Sequence, residues 1–277
     1  MSLLLKSPYE NEYSKVEPFF HTDTEQLYHK NVRSIGAAWP WLGKPIEYRF
    51  NSYGYRMDKE LADVDTSNYY AFFGCSFAVG TGIPLRDTYA YRIAKQANVD
   101  YINGAIGGGS VEFVLYNISQ LFSTDATKPK AIIINWPELT RTTYWVDDTL
   151  HSYLVNATSD KFWEPAYKQF LCEESHINNR FTMIRKTVTA LCKAYNTKLY
   201  EFTTHQADID FNTKHTGINS INISPPDITE NPITSPVILG RVYARDIHDI
   251  SKHQYGHPGL FFQEEVTKSF FEWLKHG

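Results

Sequence analysis

The sequence has few cysteines, no long hydrophobic run and no excess of positive charge. Its 277 residues include three cysteines, Cys75, Cys172 and Cys192, whose odd number and wide spacing exclude a disulfide framework and a paired-cysteine metal knuckle. No stretch approaches the roughly 18 apolar residues that a membrane span requires. The net charge of −4 leaves nucleic-acid binding without a basic surface. The first residues, MSLLLKSPYENEYSK, have too short an apolar run for a secretory leader. We therefore expect a reduced, cytoplasmic protein with neither a membrane nor a nucleic-acid partner.

Strand and helix patterns alternate from Asn68 onward. Short apolar runs typical of buried strands are YYAFFGC, VDYINGA, AIIIN and TKLYEFTT. Helical patterns lie between and after them, and we expect Asp87 and Ser110 to cap the first two of these helices. This alternation predicts an α/β fold with a mostly parallel sheet and helices on both faces. Residues 1–66 are polar, aromatic and rich in turns, and we expect them to wrap around the outside of the unit formed by residues 67–277.

Glycines follow two of the predicted strands, in GCSFAVGTG and in NGAIGGGS. A phosphate-binding P-loop requires GxxxxGK[ST], and a dinucleotide fingerprint requires GxGxxG. The first segment has the wrong glycine spacing and no lysine, and the second has its glycines in the wrong order. We therefore expect no nucleotide cofactor.

Ser76, in the first glycine segment, is a candidate nucleophile. Serine nucleophiles require a hydroxyl on a sharp turn, a histidine to accept its proton, an acid to orient that histidine, and donors for the oxyanion. Ser76 meets the first requirement because it follows a strand and glycines flank it. The neighbouring Cys75 is an alternative nucleophile, but its side chain should point to the opposite face, into the sheet.

Three short segments resemble the blocks of the SGNH (GDSL-type) hydrolases in their order along the chain. GCSFAVG resembles the first block, GDSxxxG, with Cys75 in place of aspartate. Residues 103–110, NGAIGGGS, resemble the second block, and His257-Pro258-Gly259 resembles the histidine end of the last block. The preceding NSYGYR is similar to the NSxGxR found in some members. The resemblance implies a three-layer α/β/α sandwich of the SGNH, flavodoxin-like type and a serine esterase that needs no cofactor.

The resemblance also assigns roles to residues. It implies that Ser76 is the nucleophile, that His257 is the general base, and that the amides of Ser76 and Gly108 bind the oxyanion. For the acid that orients His257 it implies Asp246, with Asp249 as the alternative.

Two positions depart from the family's blocks. Asn135, a candidate for the third oxyanion donor, comes one or two positions before the place of the family's asparagine. Gln254 stands three residues before His257, where the family has aspartate, so Asp246 or Asp249 would act across a longer spacer. These departures keep open the alternative of a catalytically inactive SGNH-fold binding or structural module.

The histidines and aromatic residues near these blocks suggest two further interpretations. His248, His253 and His257 invite a zinc site, but Gly256 and Pro258 disfavour the helix that the pair at i, i+4 would need. We therefore predict no metal. The aromatic segment WPELTRTTYW, taken as loops, would suit a sugar face. With the resemblance, it favours a small ester or a carbohydrate O-acetyl ester as substrate.

Overall fold

The computed structural model describes residues 2–11, 16–20, 22–38, 41–146, 149–153, 173–204, 219–220 and 259–276. In these residues the strands are β1 (Val16–Glu17), β2 (Tyr48–Arg49), β3 (Tyr69–Phe73), β4 (Asp100–Asn103), β5 (Ala131–Asn135), β6 (Thr142–Val146), β7 (Thr149–Tyr153), β8 (Lys198–Thr203) and β9 (Asn219–Ser220). The helices are α1 (Glu25–Ile35), α2 (Ser76–Val79), α3 (Tyr89–Ala97), α4 (Val111–Ser123), α5 (Glu174–Ala194) and α6 (Leu260–His276). Short 3-10 helices span Gly36–Ala38, Leu61–Asp63 and Leu85–Asp87.

In the described part of the chain, a parallel sheet is formed by five strands in the order β4-β3-β5-β8-β9. Every residue of β3 and β5 is buried, as expected for central strands that are covered on both faces. The order is the 2-1-3-4-5 order of flavodoxin-like sheets. The chain moves first to one side of β3 and then to the other, so a topological switch point lies between β3 and β5. The prediction of a mostly parallel sheet is confirmed.

Helices cover both faces of this sheet. On one face, α4 and α5 pack against Ala71, Phe73 and Ile132. On the other face, α3 and α6 pack against Phe72 and Ile133. Successive strand residues point to opposite faces, so each central strand contributes to both layers of the core. The predicted three-layer α/β/α sandwich is confirmed. None of the described helices is both long enough and apolar enough to cross a membrane.

The first turns of α3 and α4 show which of the predicted caps are used. Ser110 caps α4 as predicted, since its side chain accepts a hydrogen bond from the amide of Phe113. The prediction of Asp87 as the cap of α3 is wrong, because Asp87 ends the preceding 3-10 helix. Thr88 caps α3 instead and accepts from the amide of Tyr91.

The start of the chain packs against α4. Leu4 lies in the core on the α4–α5 face, and the Leu5 amide donates to Asn117 Oδ1 at 3.0 Å. These contacts join the first residues to the body of the protein. The division into a wrapping segment, 1–66, and a hydrolase domain, 67–277, stays a prediction.

The aromatic segment after β5 is more ordered than a loop. β6 and β7 form an antiparallel hairpin with Thr143 opposite Ser152. The Oγ atoms of Thr143 and Ser110 are 2.7 Å apart, so the hairpin is joined to the start of α4. Trp136 is fully buried and donates from Nε1 to Glu201. The expectation of aromatic loops is therefore wrong for the hairpin and for Trp136.

Candidate active site

The carboxyl ends of β3 and β5 meet at the switch point, where ligands bind in open α/β sheets. Gly74 follows β3 with φ +154°. A Cβ atom at Gly74 would lie 2.7 Å from the backbone oxygen of Asn135 and 2.9 Å from the Ala78 Cβ. A larger residue than glycine would displace these neighbouring atoms. Glycine therefore allows the backbone that follows β3 to approach the end of β5 closely.

Ser76 is the first residue of α2 and lies two residues after Gly74. The first amides of a helix have no carbonyl partner within the helix, so the Ser76 N–H points out of its start. Gly80 ends α2 in the left-handed conformation, with φ 74° and ψ 42°. The Ser76 residue is 5% exposed. The strand, sharp turn and helix thus give Ser76 the local geometry predicted for it.

Cys75 lies on the other side of the same turn. Its thiol forms no disulfide with a described residue and is fully buried in the core on the α3–α6 face, together with Tyr89. Burial raises the pKa of the Tyr89 phenol well above its usual value, and the neighbouring Cys75 adds to the rise. Cys75 is therefore a core residue in this structure, which weighs against its use as a nucleophile.

The loop after β4 runs beside the Ser76 turn. The Ile106 amide donates to the Gly74 oxygen at 3.4 Å, and the Gly109 amide donates back to the Ile106 oxygen at 3.2 Å. Gly108 lies inside this tight turn with φ +72° and is partly exposed. The segments of the two predicted oxyanion donors, Ser76 and Gly108, are therefore neighbours.

Asn103, the last residue of β4, joins this loop to α2. Its Nδ2 donates to the Ala78 oxygen at 3.1 Å, and its Oδ1 accepts from the Ala105 amide at 3.2 Å. The side chain is 1% exposed, so both hydrogen bonds form in the interior. Asn103 thus has a structural role, because it fixes the loop after β4.

Asn135, the last residue of β5, is fully buried. Its Oδ1 accepts from Thr204 Oγ1 at a long 3.4 Å. Its Nδ2 and the Tyr89 hydroxyl do not reach hydrogen-bond geometry, and both atoms lack a partner among the described residues. An unpaired buried donor costs about 1 to 3 kcal/mol. The structure therefore gives Asn135 an unused donor, but one that is covered by protein.

The histidine and acid candidates His257, Asp246 and Asp249 lie outside the described residues. The chain is described again from Gly259, one residue before α6 begins. The ring of Phe262, in the first turn of α6, has its centroid 6.2 Å from that of Phe77, which follows Ser76. The chain therefore enters α6 beside the Ser76 turn.

The described residues contain no group of three or more His, Cys, Asp or Glu side chains placed to hold a metal ion. His248, His253 and His257, which suggested a zinc site, are outside these residues.

Sequence reasoning missed two residues that support the site. Arg56 is 1% exposed and donates to the oxygens of Gly80 at 2.6 Å and of Ile83 at 2.8 Å, just after α2. Its place in NSYGYR was the only available signal. Tyr9 donates from its hydroxyl to the Gly107 oxygen at 2.9 Å, and no pattern in the sequence predicts this contact.

Comparison with known proteins gave matches only among solved structures. No protein-family model matches the chain, and no curated protein does. One similar structure is a carbohydrate esterase whose active site displays divergent catalytic and non-catalytic binding functions, with 13% identity, a TM-score of 0.45, and coverage of 76% of this chain and 65% of that one. Another is the acetyl xylan esterase Est2A from the rumen bacterium Butyrivibrio proteoclasticus, with 14% identity, a TM-score of 0.42, and coverage of 76% and 64%. The chain thus spans slightly less than two thirds of the length of either protein.

Proposed function

We propose that this protein is a serine esterase of SGNH type that hydrolyses a carboxylic ester through an acyl-enzyme. The observation that carries the proposal is the position of Ser76 at the start of α2, at the switch point of the sheet and beside the turn that contains Gly108. A hydroxyl and two backbone amides in neighbouring segments are the parts that acyl transfer requires.

In the proposed mechanism, Ser76 Oγ attacks the ester carbonyl carbon while His257 accepts the hydroxyl proton. Asp246 holds the His257 imidazole in the correct orientation, and Asp249 is the alternative for this role. The amides of Ser76 and Gly108 donate to the oxyanion of the tetrahedral intermediate. Collapse of the intermediate expels the alcohol, which takes the proton from His257.

The acyl-enzyme is then hydrolysed by the reverse use of the same groups. Water attacks the acyl carbon and His257 takes its proton. The second tetrahedral intermediate then collapses to the carboxylic acid, and His257 returns the proton to the leaving Ser76 oxygen. Support for the role of His257 comes from the contact between Phe77 and Phe262, because His257 is five residues before Phe262. Every group in this cycle belongs to the chain, so the mechanism requires no cofactor.

We assign two oxyanion donors and leave Asn135 as a candidate third. Its buried Nδ2 would have to reach the oxyanion by a movement of the strand end. Loss of one such donor typically lowers the rate by about 10² to 10³, so a site with two donors retains activity.

A carbohydrate ester is the substrate class that we favour. Trp145 on β6 is 50% exposed, and its ring centroid is 6.3 Å from that of Tyr116 on α4. The same hairpin contacts Ser110, two residues after Gly108. An exposed aromatic face near the oxyanion turn suits the apolar face of a sugar ring.

The second candidate is a catalytically inactive binding or structural module with the same fold. It is favoured by two observations: Cys75 replaces the acidic residue of the first block, and the Asn135 amide is covered by protein. Such a module would bind an ester or sugar without turnover.

Ester hydrolysis by purified protein tests the proposal. We expect release of acetate or p-nitrophenol from short acyl esters and acetylated oligosaccharides, and Ser76→Ala should lower the rate by at least about 10³-fold. Between Asp246→Asn and Asp249→Asn, the variant of the true acid should lose about 10⁴-fold and the other should lose little. No release from any ester by the wild-type protein would favour the inactive module.

A further inference from the structure

The turn that contains Gly108 has a central peptide whose orientation the turn itself does not fix. The turn is closed by the Gly109 amide and the Ile106 oxygen, and its central peptide joins Gly107 to Gly108. Positive φ at Gly108 but not at Gly107 is the signature of a type II turn. A type I turn has nearly the same ends, with the central peptide rotated by roughly 180°. Because both central residues are glycines, neither orientation has a Cβ penalty.

The Tyr9 hydroxyl selects one of these orientations. It donates to the Gly107 oxygen at 2.9 Å, which is the carbonyl of the central peptide. In a trans peptide the C=O and the following N–H point in opposite directions. The Gly108 N–H therefore points away from Tyr9, and the rotated peptide would lose the hydrogen bond and replace that N–H with a carbonyl oxygen.

Tyr9 is itself held in place. Its amide donates to Ser7 Oγ at 3.0 Å, and the Ser7 amide donates to the Tyr53 oxygen at 2.9 Å. Its ring packs edge-on against Phe20, with the centroids 6.5 Å apart. The hydroxyl is therefore supported by backbone and ring contacts that do not depend on the turn.

We propose that Tyr9 is a positioning residue that keeps the Gly108 N–H directed at the oxyanion, an inference that rests on the proposed esterase function. Without the hydroxyl, the glycine turn would populate the rotated peptide, and the Gly107 oxygen would face the developing negative charge. The hydrogen bond to the Gly107 oxygen also polarises the peptide and strengthens the Gly108 N–H as a donor. A residue near the start of the chain would thus determine the strength of an oxyanion hole formed by residues 76 and 108.

Tyr9→Phe tests this inference because it removes the hydroxyl and keeps the ring. We expect kcat to fall roughly 10- to 100-fold with little change in KM, since complete loss of one oxyanion donor costs about 10² to 10³. The melting temperature should change little. The matched control is Tyr55→Phe, which removes a buried hydroxyl that donates to the Leu5 oxygen at 2.8 Å, away from the turn. This control should lower the melting temperature and leave kcat unchanged.

The backbone orientation is measured separately by NMR. In protein labelled with ¹⁵N-glycine, which has 15 glycines, the Gly108 amide resonance should shift or broaden in Tyr9→Phe and stay in place in Tyr55→Phe. Unchanged kcat and an unchanged Gly108 resonance in Tyr9→Phe would overturn the inference. An unchanged kcat alone would overturn the catalytic part. If the wild-type protein hydrolyses no ester, the proposed function fails, and the Gly108 resonance still decides whether Tyr9 holds the peptide.

Discussion

Removal of the Arg56 guanidinium should destabilise the turn that carries Ser76. The guanidinium is buried and donates to the Gly80 oxygen at 2.6 Å and to the Ile83 oxygen at 2.8 Å. Longer hydrogen bonds reach the oxygens of Val79 at 3.2 Å and Glu47 at 3.3 Å. Arg56 therefore satisfies carbonyl groups at the end of α2 that no continuing helix could satisfy.

These contacts determine how much stability the Arg56→Met variant should lose. A hydrogen bond to a charged group contributes about 1.5 to 3 kcal/mol. Arg56→Met would leave the Ile83 oxygen without the hydrogen bond from Arg56, and the Gly80 oxygen would keep only its hydrogen bond from the Ile83 amide at 3.3 Å. We count only the two short hydrogen bonds and subtract the cost of burying the cation, which Arg56→Met removes. The free energy of unfolding should then fall by about 3 to 5 kcal/mol. Arg56→Lys keeps the charge but not the planar fork, so we expect about half of that loss.

Urea unfolding followed by circular dichroism measures the effect. With a slope near 3 kcal/mol per molar urea, Arg56→Met should unfold at a urea concentration about 1 to 1.7 M lower. If it does not fold, Arg56→Lys carries the test. Arg49→Met is the matched control, because Arg49 is exposed on β2 and should change stability by no more than about 0.5 kcal/mol. Equal stability of Arg56→Met and Arg49→Met would refute this account of Arg56.

Three further predictions follow from other contacts. Gly74→Ala should abolish esterase activity, whereas Gly43→Ala, which also has positive φ but open space around it, should not. Burial alone would raise the pKa of Asp100, but its hydrogen bonds to Lys59 and to two backbone amides outweigh burial and lower it. The stability that this pair contributes is therefore complete above the usual carboxyl pKa of about 3.9. It is lost as the pH falls through the lower folded-state pKa, so the stability deficit of Asp100→Asn at pH 7 should shrink in acid. Trp145→Ala should raise KM for an acetylated oligosaccharide and leave p-nitrophenyl acetate hydrolysis unchanged.

The sequence predicts the layers of the fold better than its connections. Continuous apolar runs such as β3 and β5 and the amphipathic pattern of α4 are local signals, and each forms the predicted element. The strand order depends on long-range packing and could not be read from any of these segments. The β6–β7 hairpin was missed because its first strand closely follows the Trp136-Pro137 pair, which is typical of a loop.

Local signals also limit what could be predicted of the site. Ser76 and its flanking glycines form a short motif that can be recognised in the sequence. The glycine at position 74 is required because the end of β5 leaves no space for a side chain there. Tyr9 and Gly107 are 98 positions apart, and a tyrosine among many gives no indication of such a contact. The burial of the Asn135 amide follows from the packing of the strand ends, which its neighbours in sequence do not reveal.

Labelling with a fluorophosphonate probe tests the central claim most directly, because the probe reacts with a serine only where a base and an oxyanion hole activate it. Peptide mapping by mass spectrometry would identify the modified residue in the native wild-type protein. We predict a single adduct on Ser76 that is absent from Ser76→Ala and from heat-denatured protein. No adduct on Ser76 of folded protein, or an adduct on another residue that persists in Ser76→Ala, would contradict the assignment of Ser76 as the nucleophile.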